Sequence, residues 1–305
     1  MTRTNSSRGG LAVASALAAL VALLATPAFA KDPRRDPKRL VSLGDSITEA
    51  INAEEFNPLK GLTRNRWASW VNGYTKDWNS LLDRTDVNSH NQRITAQFGE
   101  EGRKNKQAAK RGAESDKLWK QARKAVKKNA DYVTVLIGQN DVCGDDFSEI
   151  PTDAEFEANI RAGFDVLRAG LPPGATVYTL GIIDIYRLWQ IGDELDAFGI
   201  IECNEVWELL RDEHIPCATM LDPDNEEADR QFTRGRIIAF NTILSNLVVE
   251  YEANDPQHYW QYTDASFNLQ FEADDISPFD CFHPSAEGQK RLSEETWAVG
   301  PFAVP

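Results

Sequence analysis

Apolar residues in this chain gather into short continuous runs, separated by stretches with helical spacing. Arg39–Leu43 and Tyr132–Ile137 are brief aliphatic or β-branched runs, the pattern of strands buried on both faces. Thr176–Ile185 reads as a third strand and Gln257–Thr263 as a last one. Within Glu114–Lys128, Leu118, Trp119, Ala122, Ala125 and Val126 recur at helical intervals and predict one buried stripe. Asp153–Ala169 is the next predicted helix, capped by Thr152 or Asp153 and stopped by Leu171-Pro172-Pro173-Gly174. Glu226–Glu250 is a long helix and Ser285–Trp297 a final one. Strands alternating with helices predict an α/β fold, a mostly parallel sheet with helices on both faces. Ligands of such sheets bind beyond the carboxyl ends of the strands. That edge holds three predicted loops: Gly44–Thr48, Gly138–Asp141 and the segment before Ser285.

Two regions break the alternation. From Asn52 to Glu101 the pattern is irregular and polar, with Trp67, Trp70, Tyr74 and Trp78. Trp67 and Trp70 read first as core anchors and second as substrate contacts. Residues 1–30 have a basic start at Arg3 and Arg8, an apolar run over Leu11–Ala25, and Ala28-Phe29-Ala30 after Pro27. This is the pattern of a secretory signal peptide. Residues 31–38 are charged and broken by proline, and read as a tether; 39–305 reads as one domain. A soluble, secreted monomer is expected, with no later membrane-spanning segment.

Composition adds limits. The chain has 305 residues, 42% apolar and 26% charged, with a net charge of −14. That balance fits a globular protein and argues against nucleic acid as a partner. Secretion makes two disulfides the default for Cys143, Cys203, Cys217 and Cys281, and their spacing lacks the paired units of a metal site. Three pairings are open. Arg103–Lys128 runs against the acidic background, with eleven Lys or Arg against Glu114 and Asp116. Its helical part reads as a solvated face. Arg103–Arg111 reads as a source of positive potential at the site mouth, favouring anionic substrates.

The three loops carry complementary chemistry. Ser46 follows a strand and opens a helix, where a hydroxyl is exposed to backbone N–H groups, but serine needs a base to become a nucleophile. Of the four histidines, His283 is singled out by Asp280, three residues earlier in the same loop. A carboxylate there can hold Nδ1–H and turn Nε2 toward Ser46. Asn140 can offer its amide N–H to a developing oxyanion.

Gly44-Asp45-Ser46, Gly112, Gly138-Gln139-Asn140-Asp141 and Asp280-x-x-His283 resemble, in order, the four motif blocks of the SGNH, or GDSL-type, hydrolases. Asn88-Ser89-His90, Asp184–Trp189 and Phe282-His283-Pro284-Ser285 resemble its secreted bacterial branch. The resemblance implies a three-layer α/β/α fold with a flavodoxin-like sheet, and a serine hydrolase cleaving carboxylic esters without cofactor or metal. It implies Ser46 as nucleophile, His283 as general base and Asp280 as its orienting acid. The backbone N–H groups of Ser46 and Gly112, with the Asn140 side chain, form the implied oxyanion hole. The second block departs from the pattern, with Gln107 where the family usually has Asn. Relatives in this branch also imply Cys143–Cys217, leaving Cys203–Cys281, against the rival pairing Cys203–Cys217 with Cys143–Cys281. The expected substrate is a small-molecule or lipid ester. Two alternatives stand beside it: a polysaccharide deacetylase in which Trp67, Trp70 and Tyr74 stack on sugar rings, and a non-catalytic binding protein on the same scaffold.

Overall fold

The computed structural model describes residues 36–54, 62–75, 86–197, 200–209 and 216–303. The expected signal peptide, most of the tether, Trp78 and His214 lie outside the described residues. Five parallel strands form the central sheet: β1 (Arg39–Gly44), β2 (Lys104–Gln107), β3 (Tyr132–Leu136), β4 (Thr176–Leu180) and β5 (Tyr259–Thr263). Their order, β2-β1-β3-β4-β5, is that of a flavodoxin-like sheet.

Both faces of this sheet are covered, as continuous apolar strands require. On one face, the hydroxyl of Tyr132 meets His90 of α2 (His90–Phe98) at 3.1 Å, and that of Tyr178 donates to the Thr296 carbonyl of α8 (Ala286–Ala298) at 2.6 Å. On the other, Trp260 packs on Phe164 of α5 (Asp153–Gly170) and Tyr251 of α7 (Glu227–Asn254). The remaining labelled helices are α1 (Ser46–Glu49), α3 (Leu118–Lys127), α4 (Gln139–Val142) and α6 (Ile185–Gln190). Leu118, Ala122 and Ala125 of the predicted stripe are buried on α3, whereas Trp119 is half-buried and Lys120 and Arg123 lie over its ring. Thr152 caps α5 through a capping box with Glu155. No helix among the described residues is long and apolar enough to cross a membrane.

Three elements differ from the pattern-based expectation. β2 is a polar edge strand, Lys-Asn-Lys-Gln, with no hydrophobic periodicity to reveal it. α2 occupies part of the stretch that reads as irregular. β4 ends at Leu180 instead of Ile185. There the Asn241 amide takes both backbone groups of Ile182, at 2.7 and 3.1 Å, and Ser266 donates to the Gly181 carbonyl. Side chains thus replace the ladder and turn the chain toward the carboxyl edge.

Disulfides Cys143–Cys217 and Cys203–Cys281 pin two of the edge loops to the segments outside the sheet. The pairing is the one the family resemblance implies. Closing loops of this length stabilises a fold by about 4 kcal/mol each in the chain-entropy model.

The end of β1 is held tightly. Gly44 has φ +150°, and a Cβ on it would lie 2.4 Å from the Leu136 carbonyl oxygen and 2.6 Å from Thr48 Oγ1. The Gln121 side chain accepts from the Gly44 N–H at 2.7 Å and donates to its carbonyl at 2.8 Å. Gly44→Ala should therefore destabilise the fold by about 2–4 kcal/mol, through clash and strain together. Urea unfolding measures this, and a loss under 1 kcal/mol, as for an ordinary surface change, would contradict the close approach.

Candidate active site

The parallel register sets the ends of β1 and β3 side by side, with Gly44 opposite Leu136. Asp45 then caps the four-residue α1, accepting from Ile47 N–H at 3.0 Å, and Ser46 is its first residue. Gly138, at φ +120°, turns β3 into α4; a Cβ there would meet Ile182 Cδ1 at 2.5 Å. Beyond β5, the loop before α8 returns His283 to the same edge. Ser46, Asn140 and His283 line one enclosed cavity, together with Ile47, Ile183 and Leu188. Its free space is about 30 Å³. A larger groove of about 960 Å³ flanks α6 and is lined by Trp189, Trp207 and Arg230. It holds none of the site residues expected from the sequence.

Asp280 anchors the histidine. Its Oδ2 lies 2.7 Å from His283 Nδ1, and its Oδ1 accepts the backbone N–H groups of Phe282 and His283 at 3.1 and 3.0 Å. Oδ2 takes a further hydrogen bond that the sequence did not reveal, from Asn52 Nδ2 at 2.8 Å. Asn52 is itself fixed. Its backbone lies at φ +50°, its Oδ1 accepts from Thr63 N–H at 2.7 Å, and its carbonyl accepts from Ser277 at 2.6 Å. No short spacing relates residue 52 to residue 280, so only the fold brings them together.

The oxyanion candidates are placed unequally. Asn140 donates one N–H to the Ala113 carbonyl at 3.0 Å, which orients its amide on the cavity wall. Gly112, at φ +65°, stands in an exposed turn and does not line the cavity. That turn is tied to β1 through Lys110 N–H and the Gly44 carbonyl at 3.1 Å. Gln107, which replaces the usual Asn, donates to the Thr48 carbonyl at 2.7 Å and so braces α1.

Several sequence expectations need correction here. His283 is not alone in having a carboxylate three residues before it. Asp255 and His258 repeat that spacing at 2.7 Å, but the pair is buried just before β5, at the opposite edge of the sheet, and His258 Nε2 lies 3.2 Å from the Leu171 carbonyl. His90 is a core residue whose burial pushes it down to about 3. Trp70 is fully buried against His90, in keeping with its reading as a core anchor and not as a substrate contact, and Trp67 donates to Glu54. Arg103–Arg111 does not act as one basic unit. Arg103 pairs with Asp36 at 3.0 Å at the amino end of β2, while Lys110 and Arg111 lie at the site edge. There the buried Glu49 carboxylate accepts from Arg111 N–H at 2.8 Å and pairs with Arg64.

Two buried acids flank the serine. Burial pushes Asp45 up to about 7, and its Oδ2 has no hydrogen-bond partner. Burial also pushes Asp141 up to about 6, opposed by hydrogen bonds from the Ser115 hydroxyl and N–H.

A family model described as GDSL-like Lipase/Acylhydrolase matches residues 40–296. No curated protein matches the chain. Among solved structures, TesA is similar at 18% identity and TM-score 0.43, over 85% of this chain and 96% of that one. The extracellular lipase from Streptomyces rimosus is similar at 15% identity and TM-score 0.49, over 86% and 100%. A Clostridium thermocellum family 3 carbohydrate esterase is similar at 14% identity and TM-score 0.42, over 85% and 92%.

Asp45 links the site to stability. A carboxyl that ionises at about 7 when folded and at 3.8 when unfolded keeps its proton longer in the native state. Stability is therefore lost as pH rises between those values, at up to about 1.4 kcal/mol per pH unit, and is level above them. Asp45→Asn removes that slope, so the variant should gain on the parent as pH goes from 4.5 to 7 in urea unfolding. A difference independent of pH would contradict the assignment.

Proposed function

The chain belongs to the GDSL-like lipase/acylhydrolase family, and from that premise we propose that it is a secreted serine esterase acting through an acyl-enzyme on Ser46. The observation that carries this reading is the cavity shared by Ser46, Asn140 and His283, with Asp280 at 2.7 Å behind the imidazole.

In the proposed reaction, Ser46 Oγ attacks the ester carbonyl carbon and passes its proton to His283 Nε2. Nδ1–H stays on Asp280, which fixes the tautomer and stabilises the imidazolium. The carbonyl oxygen becomes an oxyanion, met by the second Asn140 N–H and the Ser46 N–H, with that of Gly112 as the third donor. Collapse breaks the ester C–O bond, and the leaving alkoxide takes the proton from His283. Water then attacks the acyl-serine with the same base, releasing the acid and restoring Ser46. Loss of one oxyanion donor typically lowers turnover by about a hundred- to a thousandfold.

Cavity size bears on the acyl group. The free space beside Ser46 is small, about 30 Å³. A space of that size favours short-chain esters over long-chain lipids. Of the three aromatic residues of the sugar-stacking alternative, Trp70 is buried, Trp67 is half-buried and Tyr74 is exposed.

Hydrolysis of p-nitrophenyl esters from acetate to palmitate tests the reading. Acetate should exceed palmitate in kcat/KM, and Ser46→Ala should lower turnover by about 10⁴-fold or more. Full activity in Ser46→Ala would overturn Ser46 as the nucleophile, and no activity with any ester would overturn the esterase reading in favour of a binding protein on this scaffold.

Asn52 gives a second test. Asn52→Asp keeps a residue tolerant of left-handed backbone but puts a carboxylate against Asp280. Added negative charge there favours the imidazolium, so the acid limb of kcat/KM should move up by about 0.5–1 pH unit. The loss of a charge-assisted hydrogen bond should lower kcat by about tenfold or more. A fall in kcat with an unmoved limb would mean that Asn52 only supports the loop.

A further inference from the structure

The polar edge strand and the helix that follows it share one face of the molecule. On β2, Asn105 accepts from Asn72 Nδ2 at 2.6 Å, and Gln107 donates to Asn72 Oδ1 at 3.3 Å. Asn72 lies in the layer of α2, because the carbonyls of its neighbours Trp70 and Val71 accept the first N–H groups of that helix. Successive side chains of a strand point to opposite faces, so Lys104 and Lys106 project on the other side. That is the side of α3, whose Leu118 packs against Gly163 of α5. From α3 the same side receives Lys120, Arg123, Lys124, Lys127 and, just past its end, Lys128. All of these cations are exposed.

Nearby acids are engaged elsewhere. Asp116 pairs with Lys117, and Glu157 and Asp165 of the neighbouring α5 pair with Arg161 and Arg168. None of the cations just named forms an ion pair with a described residue. A solvated helix face usually mixes signs, and basic residues in a last turn gain from the helix dipole. Neither accounts for Lys120, Arg123 or the two lysines of β2. Lys120–Lys124, Arg123–Lys127 and Lys124–Lys128 are like-charge pairs four residues apart, which oppose the helix that carries them. The chain around them has a net charge of −14. At physiological ionic strength, however, charges act over about 8 Å. The row from Lys120 to Lys128 is about 12 Å long at the helical rise. A ligand lying along it is governed by these cations and not by the acidic remainder.

What the face offers defines its partner. An ammonium group is a point charge that matches no one anion geometry, so a lysine row reads the density of negative charge. The apolar stripe of α3 is buried, and half-buried Trp119 has Lys120 and Arg123 over its ring at 5.4 and 5.9 Å. A helix that settles into a bilayer surface needs an exposed apolar side. An extended chain of anionic groups needs none.

We propose that the face shared by β2 and α3 is a docking surface for a linear acidic polymer, whose repeated groups are phosphate or carboxylate. The face adjoins the candidate active site, because Lys110, exposed between β2 and α3, donates its N–H to the Gly44 carbonyl at 3.1 Å. Docking there holds the site close to the polymer. The inference stands apart from the ester chemistry.

Anisotropy of fluorescein-labelled linear polyphosphate and of labelled polygalacturonate, titrated with the full chain, tests it. At about 0.15 M NaCl one or both should bind with a Kd of about 10 μM or below. Affinity should fall about tenfold or more between roughly 0.05 and 0.3 M NaCl. The polymer that binds tells phosphate from carboxylate. In the triple variant Lys120→Gln, Lys124→Gln, Lys127→Gln, Kd should rise about 10- to 100-fold. A control triple, Ala96→Glu, Gln97→Glu, Ala298→Glu, makes the same change in net charge at exposed positions of α2 and α8, across the sheet. It should leave Kd within about twofold. Both triples replace exposed side chains, which a fold tolerates. Absence of binding to either polymer, or equal weakening in the two triples, would overturn the inference. Binding to phosphatidylglycerol vesicles and to neither polymer would overturn it in favour of a lipid surface. Self-association that the lysine triple abolishes, without polymer binding, would overturn it in favour of a second copy.

Discussion

Four N–H groups converge on the Asp280 carboxylate: two from the backbone of its own turn, one from the His283 ring and one from Asn52. The rest of the site depends on this convergence. A carboxylate held by several donors is fixed in position, and a fixed Oδ2 gives the imidazole one orientation and one tautomer. The donors come from distant parts of the chain. Asn52 follows α1, which carries Ser46, so a single amide joins the segment of the proposed nucleophile to the loop of the proposed base. The Cys203–Cys281 disulfide holds the same loop from the other side. Preorganisation here is a matter of hydrogen bonds and cross-links placed before any substrate arrives.

The sheet supplies the second constraint. Parallel strands deliver their carboxyl ends to one edge, and the edge is useful only if the chain can leave it sharply. Glycine at 44 and 138 permits this, because a side chain at either position would overlap Leu136 or Ile182. The sharp exits bury polar groups that a looser fold would leave in water. Asp45 and Asp141 are raised by that burial, and Gln139 and Asp184 are left without a full set of partners. Stability is given up at the edge of the sheet where the proposed chemistry resides, while the Tyr–His–Thr contacts and the stacked Phe156–Phe240 pair hold the two flanking layers.

How much of this was legible in the sequence depended on the kind of signal. β1 and β3 declared themselves as continuous apolar runs and the long helices by periodic burial, and the three loops followed from the rule of strand ends. β2 was invisible: an edge strand made by hydrogen bonding alone has no apolar pattern. The true end of β4 was hidden because Asn241 and Ser266, remote in the chain, intercept its backbone. Asp280-x-x-His283 was readable as a pair, but Asp255-x-x-His258 has the same spacing, and only its place at the opposite edge separates them. Asn52 had no local signature at all. The disulfide pairing came through resemblance to a family, since spacing left three choices.

The most direct test of the central claim, that the Asp280–His283 pair activates Ser46, is covalent labelling with a small alkyl fluorophosphonate followed by peptide mapping. The account predicts one adduct per chain, on Ser46. Its formation should slow by about 10³-fold or more in His283→Ala, because a serine without its base is a poor nucleophile. Labelling at another residue, or labelling of Ser46 at an unchanged rate in His283→Ala, would contradict it.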